Sequence, residues 1–150
     1  MSLDFISAQR AVDNLRSQRA PGDPVALPGG RIFRFVSIAL HSETLAPLAI
    51  LVDPEDGTWI VAAPGAVRDS ADADLPQPAS LSEFVDGRVW RHRKGGVYTQ
   101  IGTGRDKDGP VVIYAAHADR LWWVRPASMF SDGRFSAASE PPLTSDELGL

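Results

Sequence analysis

The chain has 150 residues, 43% of them apolar and 23% charged, with no cysteine and a net charge of −4. This is the composition of a globular protein rather than of a disordered tail, and it allows one ordinary domain or two very small ones. No stretch approaches the roughly 18–20 uninterrupted apolar residues that a bilayer span requires, and the absence of cysteine excludes disulfides, thiolate nucleophiles and thiolate metal sites.

The start, Met-Ser-Leu-Asp-Phe-Ile, lacks a basic region followed by an apolar core. No secretory signal and no membrane attachment are expected, and a cytoplasmic location is. The net charge hides an asymmetry. Between Arg88 and Arg134 nine Lys or Arg side chains face four acids, an excess of five positive charges, which leaves −9 for the rest of the chain. A basic half on an acidic protein points to a small anion or phosphate rather than to duplex nucleic acid. Attraction between the two halves would account for the same asymmetry.

In chain order, residues 3–17 read as an amphipathic helix with Phe5, Ala8, Val12 and Leu15 on its apolar face. Ser2 is a candidate N-cap, and Ala20-Pro21-Gly22 stops the run. Strand-like segments follow at Val25–Leu27, Arg31–Leu40, Leu48–Val52 and Thr58–Ala63. They are punctuated by turns at Pro28-Gly29-Gly30 and at Asp53–Gly57. Residues 68–79 are poor in apolar side chains, contain two prolines and read as a linker. Ser80 and Glu83 have the spacing of a capping box for a short helix over 81–86. The β pattern then returns at Val89–Arg93, Val97–Gly104, Val111–Ala116 and Leu121–Arg125. Its turns fall at Lys94–Gly96, Asp106–Gly109 and His117–Arg120. Beyond Phe135 the Pro, Ser, Asp and Glu content predicts a loosely held tail.

The two β runs align. Gly30, Phe33, Val36 and Ala39 fall on Gly95, Tyr98, Ile101 and Gly104 at a spacing of 65. Pro47, Ile50, Asp56, Trp59 and Val61 fall on Pro110, Ile113, Asp119, Trp122 and Val124 at a spacing of 63. The change of two residues lies in one hairpin loop, where length changes are tolerated. The expected fold is therefore mostly β: two small SH3-like or barrel-like units packed as a pseudo-dimer, with an N-terminal amphipathic helix. The divisions are a helix over 1–20, a first unit over 21–67, a linker with a short helix over 68–87, a second unit over 88–135 and a tail over 136–150.

The second run carries Arg91-His92-Arg93-Lys94-Gly95-Gly96-Val97-Tyr98, then Val111-Val112-Ile113-Tyr114, then Trp123-Val124-Arg125-Pro126-Ala127-Ser128-Met129-Phe130. These motifs resemble the short bacterial family known as domain of unknown function 1653. The first run supplies another piece of that pattern, Ala39-Leu40-His41-Ser42-Glu43-Thr44, but has lost the basic motif before the Gly turn and has Val61-Ala62-Ala63-Pro64 in place of the Trp-Val-Arg-Pro stretch. The resemblance is thus to two degenerate copies. It implies a small, barrel-like β domain and brings no known chemistry.

Arg91, His92 and Lys94 stand before a Gly-Gly turn, where backbone N–H groups can approach an anion closely. Tyr98, Tyr114 and Trp123 lie in the same unit and offer stacking surfaces, while Arg125 can bind a phosphate or carboxylate. Strand alternation sends Trp122 and Trp123 to opposite faces. His41 and Glu43 share a face of an extended chain and form a second candidate site, but Ser42 points away and no third group orients a base. Local hydrogen bonding in a hairpin loop is the plainer account of that loop.

No catalytic residues, cofactor or metal site are assigned. The expected function is a non-catalytic binding module for a small anionic ligand such as a nucleotide or sugar phosphate. One alternative is a protein–protein interaction module with an aromatic surface. Another is a hydrolase with His41 and Glu43 facing Arg91 and Lys94 between the copies.

Overall fold

A computed structural model describes residues 4–70 and 81–150. Helix α1 covers Phe5–Arg16, and its N-cap is Asp4, whose carboxylate accepts the Ser7 backbone N–H at 2.8 Å. Ser2, the residue expected to cap it, lies outside the described residues, as do residues 71–80, which hold most of the expected linker and Ser80 of the expected capping box. Ala8 and Val12 are buried as the periodicity predicts. Phe5 is not: its ring is 41% exposed.

Among the described residues ten strands follow: β1 Pro24–Ala26, β2 Ile32–His41, β3 Pro47–Val52, β4 Trp59–Ala62, β5 Arg68–Asp69, β6 Val89–His92, β7 Val97–Asp106, β8 Gly109–Ala116, β9 Trp122–Pro126 and β10 Phe135–Ala137. A 3-10 turn at Pro64–Ala66 separates β4 from β5, and the short helix α2, Ala127–Phe130, separates β9 from β10. Within the halves the strand orders are the same, β5-β1-β2-β3-β4 and β10-β6-β7-β8-β9.

The halves match in register as well as order. Arg34 pairs with Val52 and Thr99 with Ala115; Ile50 pairs with Val61 and Ile113 with Val124. A β-bulge falls between Phe35 and Ser37 in β2, and between Gln100 and Gly102 in β7. Bulges bend a strand sharply, so β2 and β7 each take part in two layers. The left-handed residue closing the β3–β4 turn is Gly57 (φ 75°), and its counterpart in the β8–β9 turn is Arg120 (φ 64°).

Strands β2-β3-β4 and β7-β8-β9 close into one six-stranded barrel. The antiparallel pairs lie within each half. Closure is made by two parallel pairs between halves, β4 with β7 and β2 with β9. In these seams Trp59 pairs with Gly104 and Trp122 with Ala39. Inside the barrel Val36, Ile50, Val61 and Trp59 meet Ile101, Ile113, Val124 and Trp122 in one buried cluster. This explains why these strands carry apolar residues at both parities. One face fills the barrel and the other packs outside it, against α1 in the first half and against Phe130 and Phe135 in the second.

Two expectations fail outside the barrel. Arg68 and Asp69, at the start of the expected linker, form an edge strand on β1. The tail beyond Phe135 is held rather than loose. β10 pairs with β6, and Leu143 and Leu148 enter the barrel cluster at 9% and 3% exposure. Thr144 and Glu147 form a capping box for the short helix α3, Ser145–Leu148, and Glu147 also pairs with Arg120. The polar composition masked two leucines whose burial closes one end of the barrel beside Leu81 and Phe84.

Two substitutions test this packing. A Cβ at Gly102 would lie 2.4 Å from Trp59 Nε1. Gly102→Ala should therefore destabilise by about 1–3 kcal/mol through overpacking, read as a lower urea midpoint with an unchanged slope. Leu148→Ala should cost about 2–5 kcal/mol, where a loosely held tail would give no measurable change.

Candidate functional site

Arg125 is the centre of the basic face. Strand β9 places it opposite Val112, with its side chain outside the barrel. Its Nε donates to Tyr114 Oη at 3.2 Å, and its guanidinium carbon lies 5.5 Å from the Phe135 ring centroid. Its Nη1 is buried and has no hydrogen-bond acceptor among the described residues. A buried cationic donor left without an acceptor is costly.

His92, at the end of β6, packs edge-on against Phe135, with ring centroids 5.0 Å apart. Its Nδ1 accepts the backbone N–H of Lys94 at 3.1 Å, so in the neutral ring the proton sits on Nε2. Partial burial lowers the His92 pKa first, and Arg125, Lys94, Arg93 and Arg134 lower it further. The charges that lower it are all cations, of which Arg134 is itself paired with Asp132 at 2.9 Å.

The other predicted residues divide. Tyr114 is core, 3% exposed, and burial raises its pKa, so it remains a phenol that positions Arg125. Tyr98 is half-buried and packs edge-on against Tyr114 at 5.3 Å. Trp122 lies inside the barrel, while Trp123 lies on the opposite face, half-buried, with the Phe5 ring stacked over it at 6.3 Å. Arg91 turns aside and pairs with Glu140. The structure thus brings together His92, Lys94, Tyr98, Tyr114 and Arg125, and it adds Phe135 and Arg134, which the sequence motifs did not single out.

His41 and Glu43 are elsewhere, in the β2–β3 loop. His41 Nδ1 accepts the Glu43 backbone N–H at 3.1 Å, the local bond expected of such a loop. Both residues face Asp106 and Asp108 of the β7–β8 turn. Arg91 and Lys94 do not line that region, so the four side chains of the hydrolase reading do not share a cleft. Among the described residues no group of three or more His, Asp or Glu side chains could hold a metal ion, and no helix is long and apolar enough to cross a membrane.

Positions equivalent by register carry different chemistry in the first half. Leu27, Phe33, Leu51 and Ala62 stand where His92, Tyr98, Tyr114 and Arg125 stand in the second. Residues 88–135 match a family described as a protein of unknown function, DUF1653. The match is a single copy and covers the half that holds this cluster. No curated protein and no solved structure matches the chain.

The imidazole reports on this arrangement. In an NMR titration His92 should protonate below the usual histidine range, and Arg125→Gln should move it back upward by removing the largest charge acting on it. Because the folded pKa is lowered, the unfolded state binds the proton more readily. His92 therefore contributes stability above the unfolded value, and this is lost as pH falls through the lower folded pKa. His117, also lowered chiefly by burial, adds a contribution of the same sign. Unfolding midpoints should fall between about pH 7 and 5, less steeply in His92→Gln.

Proposed function

We propose that this protein is a non-catalytic binding module that takes a small anionic ligand, of the nucleotide or sugar phosphate class, at Arg125 and His92. The observation that carries this reading is the buried Arg125 Nη1 without an acceptor among the described residues, with Lys94, Arg93 and Arg134 also acting on His92. Guanidinium N–H and imidazole Nε2–H are donors suited to phosphate oxygens, while the Gly95 N–H of the turn is already given to the His92 carbonyl at 2.7 Å. Phe135 holds the guanidinium from below.

We infer further that the chain is a fused pair of DUF1653-like units arranged as a pseudo-dimer, one retaining the binding chemistry and the other turned to structure. The coincident registers, bulges and turns of the halves support this, as does the apolar character of the first half at the positions of Arg125 and His92. Absence of cysteine accords with a cytoplasmic protein.

One observation favours a protein partner as the second reading. Phe5 and Ile6 are 41% and 65% exposed, and the Phe5 ring lies over Trp123, so an apolar patch borders the basic face.

A thermal-shift series with inorganic phosphate, nucleotides and sugar phosphates tests the first reading. A ligand present at about 100 times its dissociation constant adds roughly 2.7 kcal/mol to stability. One class should raise the melting temperature of the native protein, weaken with salt, and fail to shift Arg125→Gln. A flat panel at millimolar concentrations, or equal shifts in Arg125→Gln, would reject the anion site and leave the apolar patch as the better candidate.

A further inference from the structure

A second cleft lies away from Arg125, among residues of the first half and the β7–β8 turn. It encloses about 630 Å³ at the end of the barrel away from Leu143 and Leu148, a volume within the range of small-molecule sites. Leu48, Val61, Ala62, Ala63 and Ala66 line it. The opposite rim is the β7–β8 turn, Asp106-Lys107-Asp108, contributed by the second half, with His41 beside it.

Side-chain size at this cleft differs from that at the equivalent positions of the second half. Ala62 and Ala66 occupy the positions that Arg125 and Met129 hold in the second half. The Arg125 side chain, held against Tyr114 and Phe135, stands where the first half has only the Ala62 methyl group.

The rim defines the occupant. Asp106 Oδ1 is engaged by the backbone N–H groups of Asp108 and Gly109. The exposed Asp108 carboxylate has no hydrogen bond or ion pair among the described residues. Glu43 adds a third carboxylate at the adjoining edge, against one ammonium, Lys107. We propose that this cleft binds a small amphipathic cation, an aliphatic body carrying an ammonium. The body lies on Leu48, Val61 and the three alanines, and the ammonium lies at Asp108. Burying the aliphatic part supplies the affinity, and the carboxylates exclude anions. This site is separate from Arg125 and does not rest on the anion reading.

The test uses hexylammonium, hexanol and hexanoate as probes, titrated into the full-length protein and followed by amide NMR shifts. Hexylammonium should move the amides of residues 41–48, 61–66 and 106–108 in one saturable phase. It should bind about tenfold more tightly than hexanoate, the scale of one charge pair near a surface. Ala62→Arg, which brings the second half's side chain into the cleft, should abolish the shifts while keeping a dispersed spectrum. Asp108→Asn, on an exposed turn where folding is not at stake, should reduce the preference over hexanoate several-fold. Unmoved cleft amides, equal binding of hexanoate, or an unchanged preference in Asp108→Asn would each overturn the proposal.

Discussion

Everything in this fold depends on a tryptophan ring meeting a residue with almost no side chain. Each half supplies three strands of the central barrel, and three strands leave two unpaired edges. The edges meet in parallel pairs only two and three residues long, at Trp59–Gly104 and Ala39–Trp122. Few ladder hydrogen bonds are available there, so side-chain packing has to hold the closure. The Trp59 ring covers Gly102, and its backbone carbonyl stands where a Cβ on Gly104 would otherwise lie, 2.6 Å away. Any larger residue in that seam would hold the two halves apart. The barrel interior, with its matched pairs of Val, Ile and Trp, can be dry only because the seams are shut.

Outside the barrel the same scaffold carries two chemistries. The first half has an apolar outer face, with Leu27, Phe33, Leu51 and Ala62, and α1 lies across it through Ala8 and Val12. At the C-terminal end of that helix the partly buried guanidinium of Arg16 bonds Ser37 Oγ at 2.7 Å and anchors the helix to the bulge of β2. The second half covers its face with its own elements, α2 and β10, whose Phe130 and Phe135 rings stack at 4.2 Å. Aromatic surface there supports Arg125 and His92 instead of receiving a helix. A single outward-facing position, alanine in one half and arginine in the other, divides an open cleft from a basic platform.

Much of this was legible in the sequence, for identifiable reasons. The strands of both halves are bounded by Gly, Pro and Asp turns, and their spacing of 65 and then 63 residues coincides with the observed equivalence of register. Arg125 and His92 were legible as candidates because both residues belong to conspicuous motifs in one unit. What the sequence hid were contacts made by sparse apolar residues in polar surroundings. Leu143 and Leu148 sit among Pro, Ser, Thr, Asp and Glu, so composition spoke for a loose tail while two side chains decided otherwise. The cleft was hidden for the opposite reason. It is made by small residues, Ala62, Ala63 and Ala66, whose meaning emerges only beside the larger side chains of the other half.

The β2–β9 seam also governs how the chain must fold. It joins Ala39 to Trp122, so a loop of about 80 residues has to close before that pair can form. Most of the hairpin contacts are local and can come early, but a barrel open along one seam has no enclosed interior and two bare strand edges. Such a topology is expected to fold slowly and in one cooperative step. Until the last parallel pair docks, those edges are free to find a strand from another molecule. Carrying both halves on one chain sets a high effective concentration for the correct partner strand, and this gives the intramolecular closure its advantage over exchange between chains.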